Sequence, residues 1–214
     1  AKRNPVASAV ALAAVLIALV AGSITLDQWL ERKERDALLA LAAARAQVGD
    51  LRAAREPLDR LTDLYPQFEE GFLRRAAVWQ REGRWDDAEA DLDRAVAVAP
   101  DSARVRVLRG EFRLERDRPA QALEDFRHAD GFAPGFDPAL GCARALLEQG
   151  LWQEAEASAE LALARAQAAT QRALAIAARG RGRWGLGRRA EAVNDAVSAA
   201  AEDPTGAEGP FVLG

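Results

Sequence analysis

Residues 81–102, REGRWDDAEADLDRAVAVAPDS, and residues 116–134, RDRPAQALEDFRHADGFAP, decide the fold, because they repeat one another at a fixed offset. Pro100 and Pro134 stand 34 residues apart, and so do Ala88 and Ala122, and Gly83 and Asp117. Toward the N-terminus the series continues at Pro66, Ala54 and Gly49. Self-similarity at that period marks a helical repeat array. A helix hairpin needs Gly or Asp in its turn, a small residue where the backbones approach, and a proline that cannot continue the second helix. The repeating unit is therefore two antiparallel helices.

Further out the pattern weakens but persists. Gly150, Trp152, Ala155, Ala159 and Ala162 continue it one residue short of the period, and Gly187, Ala192, Ala196, Ala199 and Pro204 continue it three residues long. On these residues, with Trp85, Leu92, Ala95, Phe126, Ala129, Leu58 and Leu61, the chain resembles the tetratricopeptide repeat (TPR) family. The resemblance implies an all-α fold, an α-solenoid of five helix hairpins at roughly 35–68, 69–102, 103–135, 136–169 and 173–206.

Some positions depart from that pattern. The large aromatic expected inside each first helix is present as Trp79 but replaced by Arg45, Arg113 and Arg183, whose stems can lie along a helix seam. Gln167 stands where a proline would end the fourth repeat, so its second helix is expected to run on toward Ala169. Gly180, Gly182, Gly185 and Gly187 crowd the fifth repeat, and each interior glycine costs a helix about 1 kcal/mol relative to alanine. The fifth repeat is thus expected to be the least stable.

Ahead of the array, Val6 to Leu26 carries no charge over 21 residues. As a helix it would be about 30 Å long, the thickness of a bilayer core. Its flanks, Lys2, Arg3 and Pro5 before and Asp27 and Trp29 after, suit a single membrane anchor, although Val20-Ala21-Gly22 also fits a cleavable leader. The organisation expected is an N-terminal tail (1–5), a transmembrane helix (6–26), a juxtamembrane linker helix (27–34), the TPR array (35–206) and a C-terminal tail (207–214). Ala7, Ala11, Ala14, Ala18 and Gly22 form one small-residue stripe on the anchor, a packing face for another helix or a by-product of alanine-rich composition. The short basic tail favours its own retention in the cytoplasm, which places the protein in a bacterial inner membrane with the array on the periplasmic side.

Composition narrows the function classes. The net charge is −4 with a pI near 5.3, mixed along the chain, which disfavours nucleic acid as the main partner. Arginine and alanine abundance, with only two lysines, Lys2 and Lys33, suits a high-GC bacterium. One cysteine, Cys142, and one histidine, His128, provide neither a disulfide nor a zinc site within one chain, and no cofactor is indicated. Cys142 reads as a small buried hydrophobe and His128 as a half-exposed helix residue without an orienting partner. Glu69-Glu70 and Asp86-Asp87 open helices, where the macrodipole favours acids without any functional reason. The chain is not expected to be an enzyme.

Binding is the better candidate. If first helices line a groove, as the resemblance implies, its surface includes Leu39, Leu73, Gln80, Val107, Glu111, Leu114, Leu140, Arg144, Leu147 and Trp184, although the leucines equally suit packing between helices. The family's carboxylate clamp is not reproduced, since the comparable positions hold Ala40, Arg74, Leu108 and Gly141. Arg179, Arg181, Arg183, Arg188 and Arg189 form the main basic concentration, a patch for an anionic partner or a solvated helix face. The reading that follows is a non-catalytic membrane-anchored scaffold, an accessory or assembly subunit of a larger bacterial membrane complex of respiratory or photosynthetic type. Its partners would be other protein subunits, through the TPR surface and the transmembrane helix, and membrane lipid. The alternative is a free-standing TPR adaptor or chaperone that binds peptides transiently at the cell envelope.

Overall fold

The computed structural model describes residues 5–204, with side chains from Gly22 onward except that of Ile24. Ten helices make up the described residues: α1 (Pro5–Gln47), α2 (Leu51–Leu64), α3 (Glu69–Arg81), α4 (Trp85–Val98), α5 (Ala103–Glu115), α6 (Pro119–Phe132), α7 (Phe136–Glu148), α8 (Trp152–Arg165), α9 (Ala169–Gly185) and α10 (Arg189–Glu202). They pair as five successive hairpins, and each hairpin packs on the next. α1 runs unbroken through 6–26, 27–34 and the start of the array.

The turn residues are where the period puts them. Gly49, Gly83, Gly150 and Gly187 have φ between 71° and 84°, and Asp117 has φ 56°. That left-handed conformation is open to glycine and tolerated by aspartate, which is why these two types occupy the turn. Five residues beyond each turn, the second helix presents its innermost face. Ala54, Ala88, Ala122, Ala155 and Ala192 are fully buried there.

Phe126 is among the largest knobs in this packing. It is fully buried, and a Cβ on Gly110 would lie 2.8 Å from its ring; one on Gly141 would lie closer still. Two first helices thus approach the same ring from either side, which only Gly at both places allows.

Two expectations change. The helix expected to run toward Ala169 stops at Arg165, because Gln171 Oε1 accepts hydrogen bonds from the backbone N–H of Gln167 and Ala168 and so starts α9 at Ala169. Of the glycines of the fifth repeat, Gly182 and Gly185 are close-approach positions and Gly187 holds the turn. A Cβ on Gly182 would lie 3.1 Å from the carbonyl oxygen of Trp152, and one on Gly185 would strike the Trp152 indole.

The second is the membrane anchor. Most of the expected span, with Ala7, Ala11, Ala14 and Ala18, lies outside the residues whose side chains are described. Among the described residues no helix is long and apolar enough to cross a membrane. The described part of α1 carries Asp27, Glu31, Arg32, Lys33, Glu34, Arg35 and Asp36 within ten residues, so this part of the helix does not lie in lipid. The single-pass inner-membrane localisation with a periplasmic array therefore does not stand. Gly22, the described member of the small stripe, is exposed with nothing packed over it.

Candidate functional site: the first-helix face and the clamps beneath it

The array is held together by a charged device that recurs with the period. Arg75, Arg109 and Arg179 each stand eight residues before a turn residue, and Asp91, Asp125 and Asp195 eight residues after it. Arg75 grips Asp91 with two hydrogen bonds of 2.8 Å, and Arg109 grips Asp125 at 2.6 and 2.9 Å. Arg179 grips Asp195 at 2.7 and 3.2 Å. The carboxylates are buried to between 1 and 5 % exposure.

One helical turn further on, the residue at the expected aromatic position completes each site. Trp79 Nε1 donates to Asp91 at 3.1 Å, Arg113 donates to Asp125 at 2.7 Å, and Arg183 to Asp195 at 2.9 Å. Arginine thus replaces tryptophan because the buried carboxylate accepts from either. Hydrogen bonding to Asp91 pushes the Arg75 guanidinium above its ordinary range, so its charge is fixed at any physiological pH. Arg45 instead pairs with Glu56 and the carbonyl of Ala53, since Pro57 occupies the aspartate's place in the first hairpin.

Above the clamps lies the face made by the first helices. Leu73 and Leu147 are buried in core clusters, whereas Val107, Leu114 and Leu140 are half-buried and pack against the central one. Gln80 is half-buried, and Glu111 accepts two hydrogen bonds from Arg144 at 2.6 and 2.9 Å. Trp184 is exposed with the Arg189 guanidinium 5.3 Å over its ring.

Between α1 and α3 this face opens into a cleft of about 410 Å³ lined by Leu39, Ala40, Ala43, Ala46, Ala77 and Val78, with Leu58 at its base. Arg74 and Arg81 stand on its rim. Arg74 shares Glu70 with Arg104, both at 2.6 Å, while Arg81 donates to the carbonyl oxygen of Ala46 and has no carboxylate partner among the described residues. Sequence reasoning found Leu39 but not the alanines, whose spacing along α1 and α3 was the available signal: small residues stacked on one stripe of two adjacent helices leave a hollow.

The basic concentration is heavily paired. Arg179 and Arg183 bind Asp195, Arg183 and Arg188 both reach Glu156, Arg181 meets Glu148 at 3.2 Å, and Arg189 covers Trp184. Cys142 is buried, and burial followed by the charge of Asp130 pushes its thiol up to about 11, so it is a neutral packing group at physiological pH. His128 is exposed on α6, beside Leu123, Arg127 and Phe132 in a shallow hollow.

No protein-family model and no curated protein matches the chain. Solved structures do. MamA is 17% identical with a TM-score of 0.67, over 85% of this chain and 98% of its own. PilW, a widely conserved type IV pilus biogenesis factor, is 23% identical with a TM-score of 0.69, over 80% and 78% of the two chains. YrrB, a TPR protein with an unusual peptide-binding site, is 15% identical with a TM-score of 0.64, over 84% and 92%. The chain has the TPR fold.

Proposed function

We propose that this protein is a non-catalytic TPR adaptor that binds segments of partner proteins on its first-helix face, with the α1/α3 cleft as the principal subsite. The observation that carries this reading is the cleft itself: an apolar hollow sized for one or two side chains, rimmed by arginines of which Arg81 lacks a carboxylate partner among the described residues. Apolar burial would supply affinity, and the rim would favour an acidic neighbour in the bound segment. A peptide-binding site in a protein of the same fold, YrrB, supports the class of ligand. Elsewhere on the face the charges are largely paired with one another, so affinity should concentrate at this end.

The test is a selection of displayed random peptides on the full chain, repeated on Ala43→Trp and Ala77→Trp, which fill the cleft from either wall. Peptides pairing apolar with acidic residues, lost in both folded variants, are expected. Peptides bound equally well by the filled variants would place the site elsewhere.

A further inference from the structure

The hairpin junctions reveal what the two ends of the array are built to meet. At each inner junction the second helix of one hairpin faces the first helix of the next. At the first two, the contact is charged: Arg75 donates to Asp59 at 2.9 Å and Arg109 to Asp93 at 2.8 Å. In both pairs the arginine stands eight residues before its own turn residue and the aspartate ten residues after the preceding one. At the third junction the contact is apolar. Leu123, six residues after its turn, is buried in one cluster with Cys142, eight residues before the next.

The first and last helices of the array carry the same places, and among the described residues they are apolar and exposed there. On α10, Val193 and Val197 stand six and ten residues after Gly187 and are 46% and 67% exposed. On α1, Leu41 stands eight residues before Gly49 and is 44% exposed. One exposed valine would need no explanation. Here, however, the register positions that carry Asp–Arg pairs at the first two inner junctions carry an aliphatic pair at the two ends, matched to each other.

We propose that α10 of one molecule packs against α1 of a second copy of this chain, so that Val193 and Val197 meet the second copy's Leu41 in the geometry in which Asp59 meets Arg75. The argument is continuity: a second copy placed this way extends the series of junctions already present in the array, in the apolar form that Leu123 and Cys142 show. The contact is heterologous and does not close on itself, so copies add head to tail into short open chains.

Sedimentation velocity of the full chain over a concentration series tests this, with Leu41→Arg, Val197→Asp and an equimolar mixture of the two. Wild type should gain mass with concentration, and each variant alone should need roughly tenfold more protein to do so, since each sets a charge against an aliphatic side chain. The mixture should recover wild-type association, because one of its junctions pairs the introduced arginine with the introduced aspartate and the other is the native Leu41–Val197 contact. Recovery also requires both variants to be folded. A monomeric wild type, which would leave these faces to an unrelated protein, overturns the proposal. Variants that associate like wild type, or a mixture that fails to recover, overturn it equally.

Discussion

Arg109 reaches across from α5 to hold Asp125 of α6 by both carboxylate oxygens, and Asp125 is 1% exposed. The same Arg109 also bonds Asp93 on the preceding hairpin, so one side chain closes its own repeat and joins it to its neighbour. A buried charge of this kind is expensive to strand and of modest net value when paired.

Asp125→Ala should therefore destabilise the fold by about 3–5 kcal/mol, because it leaves Arg109 and Arg113 facing each other with only the exposed Asp93 as counter-ion. The fourth repeat offers a control, since Cys142, Leu146 and Ser158 occupy the three equivalent places. Copying them as Arg109→Cys, Arg113→Leu and Asp125→Ser should cost less than the single substitution. Urea unfolding of the two variants decides this, and the reverse ranking would deny the clamp its electrostatic character.

Gly141→Ala should destabilise by about 1–3 kcal/mol, since the added methyl strikes the buried Phe126 ring between two helices. Gly131→Ala, at an exposed site in α6 with nothing near the new methyl, should stabilise by about 0.5–1 kcal/mol. Thermal melts of the pair should shift in opposite directions.

Cys142 should resist alkylation in the folded protein at neutral pH and react at once in denaturant, because burial and the raised thiol pKa of about 11 both withhold the thiolate. Rapid labelling of native protein would show that the α7/α8 region opens readily.

Acid should loosen the joints between repeats. Burial raises the pKa of Glu70, but hydrogen bonds from Arg104 and Arg74 outweigh it and hold the group below its ordinary value of 4.5. Burial is likewise outweighed at Glu156 by Arg183 and Arg188. A depressed folded pKa adds stability that is present above about pH 4.5 and is lost as pH falls through the folded value. Stability measured by urea unfolding should fall below that pH, and Glu70→Gln should flatten part of the decline.

The hairpins were legible in the sequence because turn glycines, innermost alanines and terminal prolines act locally and recur. The start of α9 was less so, since a side-chain cap by Gln171 replaces the missing proline. The clamps went unread although their residues are periodic, because an Arg and an Asp sixteen residues apart are partners only once the hairpin has closed. The cleft was missed for a related reason: an alanine reads as filler until the helix opposite it also carries alanines. Charge-free length argued for a membrane span, but among the described residues no helix is long and apolar enough to cross a membrane.

The binding mode proposed above puts partner segments on the first-helix face at the α1/α3 cleft. Hydrogen exchange of the full chain, with and without a peptide obtained by selection on it, tests this most directly. Slowed exchange confined to residues 39–46 of α1 and 74–81 of α3, and abolished by Ala77→Trp, is the predicted result. Protection centred on the second helices, with those two segments unchanged, would contradict it.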